Sequence, residues 1–192
     1  MNLPNKLTIM RIILVPVVVA VYLCVPENMG IVNEATGLGL RNILVLIIFI
    51  VASITDYFDG MLARKHHWIT SFGKFADPIA DKLLVNTVLI MLVWSHSANV
   101  VAVLIMIARD LMVDGLRMSA ATSGEVVSAG FFGKLKTVLQ MVAIVLLLLN
   151  NWPCALIHVP LASIALWAAA AASVYSGWIY FQKLKKYVLE TM

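Results

Sequence analysis

Residues 56–81, DYFDGMLARKHHWITSFGKFADPIAD, lie between two long apolar runs and hold four of the ten acidic residues of the chain. Asp56 and Asp59 are three positions apart, and Asp77 and Asp81 are four apart, so on helices each pair projects from one face. The connection between the pairs is short, which predicts two antiparallel neighbouring helices. The four carboxylates are therefore expected to converge on one small volume.

The rest of the chain is apolar enough to predict an integral membrane protein. Of 192 residues, 62% are hydrophobic and only 12% are charged, whereas soluble domains carry about 25% charged residues. Lipid must therefore be the solvent for much of the surface. The apolar runs lack the alternation of barrel strands, so we expect an all-α fold of six transmembrane helices in a single domain, residues 1–192. The predicted spans are 8–25, 40–62, 79–96, 98–119, 135–151 and 157–182.

Basic residues are distributed very unevenly about these spans. With six spans both termini share one side, and all of the 14 lysines and arginines except Arg41 fall on it. The positive-inside rule makes that side cytoplasmic, so we expect a multi-pass protein of the cytoplasmic membrane with its site facing the cytoplasm. A one-sided basic surface suits anionic lipid or phosphate, and no motif indicates a nucleic-acid partner. Five aromatic residues near span ends are interpreted as an aromatic belt: Trp94, Trp152, Tyr175, Trp178 and Tyr180.

Four carboxylates this close would repel one another strongly unless cations lay among them. Oxygen ligands suit Mg²⁺, Mn²⁺ or Ca²⁺, and four carboxylates are enough for the two ions of an in-line phosphoryl displacement. Asp77, directly before Pro78, could instead be only a helix N-cap. Four aspartates in paired helical spacing at a membrane favour a functional site.

The connecting segment adds small residues and an arginine at fixed offsets from the aspartates. The pattern Asp56-x2-Asp59-Gly60-x2-Ala63-Arg64-x8-Gly73-x3-Asp77-x3-Asp81 resembles the full signature of the CDP-alcohol phosphatidyltransferase family. The flanking stretches, residues 2–8 with Arg11 and residues 133–137 with Gln140, are similar to one branch of that family, the bacterial phosphatidylglycerophosphate synthases. The likeness thus covers most of the chain.

The resemblance implies a six-helix fold, usually homodimeric, in which an alcohol attacks the β-phosphorus of CDP-diacylglycerol and CMP leaves. It implies that two divalent ions, Mg²⁺ or Mn²⁺, bind Asp56, Asp59, Asp77 and Asp81. Asp81 also resembles the general base of the family. The residues that would hold the CDP-diacylglycerol headgroup are Asn5, Thr8, Gly60, Arg64, Thr70 and Gly73.

The acceptor alcohol is predicted from basic residues on the fourth and fifth runs. These are Arg109, Arg117, Lys134 and Lys136. Such a cluster favours a phosphate-bearing acceptor, namely sn-glycerol 3-phosphate, although inositol phosphate or phosphatidylglycerol would also suit it, and serine would need it less. Asp110 and Asp114 are expected to pair with or orient the arginines. A divalent-cation transporter stays open as a different class, although the aspartates lie at helix ends rather than near the midplane.

Overall fold

The computed structural model describes residues 3–27, 29–33, 36–65, 71–122, 130–152, 154–157 and 159–189. For residues 3, 4, 57–60, 62–65, 71, 72, 74, 122, 156, 157 and 186–189 it describes the backbone only. The described chain forms six α-helices: α1 Leu3–Cys24, α2 Leu40–Lys65, α3 Ser71–Trp94, α4 Val100–Thr122, α5 Phe131–Leu148 and α6 Leu161–Leu189. A 3₁₀ turn, Cys154–Ile157, precedes α6. The predicted all-α class is confirmed for these residues.

The surface of the helices is strongly apolar. Ile13, Leu23, Leu104 and Trp178 each expose more than half of their area, and exposed apolar surface on this scale is typical of a protein in lipid. Among the described residues, three helices are long and apolar enough to cross a membrane. Their apolar segments are Asn5–Cys24, Phe131–Leu148 and Leu161–Lys185.

Helix α3 begins about two turns earlier than predicted. It starts at Ser71 rather than at residue 79, and Pro78 lies inside it. Proline fixes a helical φ but has no N–H, so only the carbonyl of Lys74 loses a helical partner, and such a gap is tolerated where neighbouring groups satisfy it. Asp77 is therefore in the helix interior, and its interpretation as a simple N-cap is wrong.

The helices pack as two groups of three. Helix α1 packs against α2 and α3, while α6 packs against α4 and α5. In the described part of the chain, α2 and α3 make few contacts with each other, so the prediction that they are close neighbours is wrong along most of their length. The two groups meet through α2–α5, α3–α4 and α3–α5 contacts.

Small side chains on α6 permit its close packing in the second group. The buried ones are Ala162, Ala165, Ala169, Ala170, Ser173 and Ser176. Residues of this size let helix backbones approach each other without bulky side chains between them.

Polar contacts join α1 and α2 at the end remote from the aspartates. Arg41 is 4% exposed. Its guanidinium lies 5.0 Å from the centroid of the Tyr22 ring and 3.3 Å from Glu27 Oε2. Because a helix rises about 1.5 Å per residue, Arg41 is about 22 Å along α2 from Asp56. The carboxylate site is thus confined to one end of the molecule.

Candidate active site

Arg11 of α1 is surrounded by carboxylates from two other helices. Its Nη1 donates to Asp56 Oδ1 of α2 at 2.6 Å and also to Asp81 Oδ1 of α3. Its Nη2 lies 3.4 Å from Asp77 Oδ1. The Arg11 side chain is 1% exposed, whereas the three aspartate side chains are 41–43% exposed. Three of the four predicted aspartates are thus brought together around one buried guanidinium.

Helix α1 presents a further polar group to this cluster. Thr8, fully buried, donates its hydroxyl to Asp77 Oδ1. Asn5, Thr8 and Arg11 follow one another at three-residue intervals, so they share one face of a mostly apolar helix. Gly73 is buried in the first turn of α3. Helix α1 therefore supplies the side chains that tie α2 to α3.

The remaining predicted residues of this region are described less fully. The backbones of Asp59, Gly60 and Arg64 belong to the last turns of α2, but their side chains lie outside the described part. Thr70 lies outside the described residues altogether. Their roles stay predictions.

A second cluster of charges is centred on Asp110 of α4. Its carboxylate accepts hydrogen bonds from Arg109 Nη1 at 2.9 Å and from Lys136 Nζ of α5 at 2.5 Å. Arg109 Nη2 donates to Ser176 Oγ of α6 at 2.6 Å. The expected pairing of Asp110 with Arg109 is confirmed, and Lys136 is a second partner. This cluster joins all three helices of the second group.

Tyr180 of α6 completes the second cluster. Its hydroxyl accepts hydrogen bonds from Arg117 Nη2 at 2.8 Å and from the backbone N–H of Gly130 at 2.7 Å. The guanidinium carbons of Arg117 and Arg109 lie 4.7 Å and 5.7 Å from the centroid of its ring, which is within cation–π range.

One cavity of about 300 Å³ joins the two clusters. Arg11, Asp56 and Asp81 line one part of it, and Arg109, Arg117 and Lys136 line another. Between them, Lys82 of α3 pairs with Asp114 of α4, so the partner of Asp114 is a lysine rather than the expected arginine. Carboxylates and cations thus face a common space between the two helix groups.

Comparison with known proteins shows to which family the chain belongs. The sequence model of the CDP-alcohol phosphatidyltransferases matches residues 1–175. The chain belongs to this family. The predicted resemblance is confirmed.

Individual members of the CDP-alcohol phosphatidyltransferase family are similar over nearly the whole chain. The CDP-diacylglycerol–glycerol-3-phosphate 3-phosphatidyltransferase of Bacillus subtilis (strain 168) is 44% identical over 183 residues, which cover 95% of this chain and 94% of that protein. The Rickettsia felis protein of the same name is 39% identical over 187 residues, 97% of either chain. That of Wigglesworthia glossinidia brevipalpis is 35% identical over 185 residues, covering 94% and 93%.

CDP-alcohol phosphatidyltransferases generally use divalent metal ions, and the donor chemistry of the first cluster suits them. Carboxylate oxygens are the ligands that Mg²⁺ and Mn²⁺ prefer, and Asp56 and Asp81 are accessible from the cavity. Among the described side chains, no three of the Asp, Glu, His and Cys groups approach closely enough to enclose an ion by themselves. The Arg11 guanidinium contacts three of these carboxylates, Asp56, Asp77 and Asp81.

The predicted acceptor residues are brought together only in part. Arg109, Arg117 and Lys136 line the cavity, whereas Lys134 is exposed and is not a lining residue. Residues two apart on a helix point about 200° from each other, so Lys134 and Lys136 cannot both face the same space.

Two residues of α6 that contact the arginines of this site, Ser176 and Tyr180, were not predicted as site residues from the sequence. Tyr180 is 4% exposed and Ser176 is 1% exposed, so the assignment of Tyr180 to an aromatic belt is wrong. A signal was present, because Ser173, Ser176 and Tyr180 follow the i, i+3, i+7 spacing of one helix face. The sequence places Arg11 on the basic side of the chain and in a stretch similar to the family, but nothing in it indicates that Arg11 lies among the aspartates.

Proposed function

We propose that this chain transfers the phosphatidyl group of CDP-diacylglycerol to sn-glycerol 3-phosphate, giving phosphatidylglycerol phosphate and CMP. The observation that carries the proposal is the single cavity with carboxylates on one part of its wall and cations on another. The first wall suits a metal-bound pyrophosphate, and the second suits a phosphorylated acceptor. Relatives from Bacillus subtilis and Rickettsia felis bear the name of this reaction.

The carboxylate wall would hold the reacting centre. Asp56, Asp59, Asp77 and Asp81 would bind two divalent ions, which neutralise the pyrophosphate and stabilise the departing CMP. Asp81 would take the proton from the acceptor hydroxyl as its oxygen bonds to the β-phosphorus. The bond between that phosphorus and the bridging oxygen breaks at the same time, and CMP leaves with the electron pair.

The cationic wall would bind the acceptor phosphate. Arg109, Arg117 and Lys136 carry three positive charges, and Asp110 carries one negative charge, which leaves a surplus of two. That surplus matches the charge of a phosphate monoester dianion, and arginine is suited to bidentate phosphate binding. Lys134 is proposed as an outer phosphate contact only. Serine has no phosphate and would leave the surplus uncompensated.

The donor would lie against the ends of α1, α2 and α3. Asn5, Thr8, Gly60, Arg64, Thr70 and Gly73 are proposed to hold its cytidine diphosphate. Arg64 would place a charge-assisted hydrogen bond on phosphate, while the glycines let a ligand approach the backbone closely. The acyl chains would extend into lipid beside the apolar helix surface.

The topology is part of the same proposal. All six helices would span the cytoplasmic membrane as one domain, residues 1–192, with both termini and the cavity at the cytoplasmic face. Two copies would form a homodimer. The basic side of the chain supports this orientation. A cavity at the aqueous face also lets glycerol 3-phosphate enter from water and CMP leave into it.

The proposal is tested by CMP release from CDP-diacylglycerol in detergent micelles, with Mg²⁺, Mn²⁺ or EDTA. The acceptors are glycerol 3-phosphate, inositol phosphate, phosphatidylglycerol and serine. We expect metal-dependent release with glycerol 3-phosphate at a kcat/KM at least about a hundredfold above that with serine. A higher kcat/KM with another acceptor would refute the acceptor assignment. Metal flux into proteoliposomes without any CMP release would refute the proposed transferase activity and favour a cation transporter.

A further inference from the structure

Tyr180 contacts the cationic wall of the cavity at several points. It lies on α6, and its hydroxyl meets Arg117 of α4 and the Gly130 N–H just before α5. Its ring lies beside both Arg109 and Arg117. A Cβ added at Gly133, in the first turn of α5, would lie 3.5 Å from the Tyr180 hydroxyl oxygen. One side chain of α6 thus contacts α4 and the start of α5.

These contacts suit a residue that positions the phosphate-binding side chains rather than one that binds the phosphate itself. A tyrosine hydroxyl that accepts hydrogen bonds from a guanidinium and a backbone N–H orients both donors. The ring has few rotatable bonds and is buried, so its position is fixed by packing. Arginine is long and flexible, and ordering it before a ligand arrives lowers the entropic cost of binding.

We propose that Tyr180 is a positioning residue of the acceptor site, which holds Arg117 and the start of α5 in place for the phosphate of the acceptor. The inference rests on the proposed function and assigns to α6 a part in acceptor recognition. Lys136 lies in the second turn of α5, so the anchor at Gly130 also fixes the helix that carries it.

The test is Tyr180→Phe, which deletes the hydroxyl and keeps the ring. We expect KM for glycerol 3-phosphate to rise about tenfold, since one hydrogen bond to a charged group is lost. The kcat should stay within about twofold and KM for CDP-diacylglycerol should not change, because no group near the aspartates is altered. Tyr175→Phe is the matched control. That tyrosine lies on the same helix, is 53% exposed and contacts Phe132 by its ring edge, so its removal should leave both constants unchanged.

A second measurement separates positioning from a structural role. Inorganic phosphate should compete with glycerol 3-phosphate, and Tyr180→Phe should raise its inhibition constant by the same factor as the KM. An unchanged KM, or an equal rise in the KM values of both substrates, would overturn the inference. Tyr180→Phe should melt at a lower temperature than Tyr175→Phe, because two buried donors lose their acceptor. A smaller folded fraction would lower the apparent kcat but not change KM, so the KM values of the two substrates still decide the matter. Absence of CMP release by the wild-type protein with glycerol 3-phosphate would instead overturn the proposed function.

Discussion

The carboxylate of Asp110 accepts a hydrogen bond from Lys136 Nζ at 2.5 Å, across the interface of α4 and α5. Both side chains are buried, at 12% and 6% exposure. Asp110 also bonds Arg109, so one carboxylate compensates two cations that face the cavity. The Asp110–Lys136 pair should therefore affect both the stability of the α4–α5–α6 group and the net charge of the cavity wall.

Loss of the Asp110 charge should be costly. In Asp110→Asn two buried cations lose their counter-charge, and we expect the free energy of unfolding to fall by about 3 kcal/mol, as for other broken buried pairs. Asp114→Asn is the control, because Asp114 and its partner Lys82 are 37% and 40% exposed. That change should cost less than about 1 kcal/mol. Equilibrium unfolding in detergent measures both, and equal losses would contradict the assignment of Asp110 as a buried counter-charge.

Arg11 should be needed most when divalent ions are removed. Without its guanidinium, three carboxylates lose a common counter-charge and repel one another. We expect Arg11→Met to lower the melting temperature strongly in EDTA and much less in saturating Mg²⁺, because ions bound to the folded state stabilise it.

Arg41→Met provides the comparison for Arg11. Arg41 is also buried, at 4% exposure, but it lies at the other end of α2, next to Glu27 and Tyr22. Its removal should lower the melting temperature by the same amount in EDTA and in Mg²⁺. A Mg²⁺ effect of equal size in the two variants would show that the aspartates near Arg11 do not bind the ion.

Asp81 and Asp56 allow the roles of base and metal ligand to be separated. Both accept a hydrogen bond from Arg11, and their side chains are 41% and 43% exposed, so the two Asn variants are structurally matched. We expect Asp81→Asn to lower kcat at least about a hundredfold at any metal concentration, as for loss of a general base. Asp56→Asn should regain a large part of its CMP release as Mn²⁺ is raised. If raised Mn²⁺ restored the CMP release of Asp81→Asn to the same extent, Asp81 would be a metal ligand and not the general base.

The sequence was sufficient to predict an all-helical fold and the proximity of three of the four aspartates. The apolar runs, which lack strand alternation, predicted six helices. The spacing of the aspartates and the short connection between them predicted that they lie close together, and Asp56, Asp77 and Asp81 do so around Arg11.

The start of α3 was missed because Pro78 resembles the first residue of a helix, whereas α3 begins at Ser71. In the turn before Pro78, Asp77 accepts a hydrogen bond from Thr8 of α1, and local sequence carries no information on such a contact.

The partners of the charged residues could not be predicted in the same way. Arg11 reaches Asp81 across 70 positions of the chain, and Lys136 reaches Asp110 across 26. Such pairs depend on which helices are adjacent, and no short sequence pattern states that α1 packs against α2 and α3. Tyr180 was misassigned for a related reason, since aromatic residues near span ends are typical of a membrane interface as well.

Two helical glycines give a last prediction, because the same substitution should act in opposite ways. A Cβ at Gly115 of α4 meets nothing within 4 Å, whereas one at Gly177 of α6 would lie 3.0 Å from Arg109 Cγ. Gly115→Ala should raise the free energy of unfolding by about 0.5–1 kcal/mol through the helix preference of alanine, with no change in KM.

Gly177→Ala should not raise the free energy of unfolding, and it should raise KM for glycerol 3-phosphate severalfold. The guanidinium of Arg109 is held by Asp110 and Ser176, so the stem of the side chain cannot move away from a new methyl group without weakening one of those bonds. Unfolding and steady-state kinetics of the two variants, measured side by side, check this. An unchanged KM in Gly177→Ala would mean that the position of Arg109 is not critical for the acceptor.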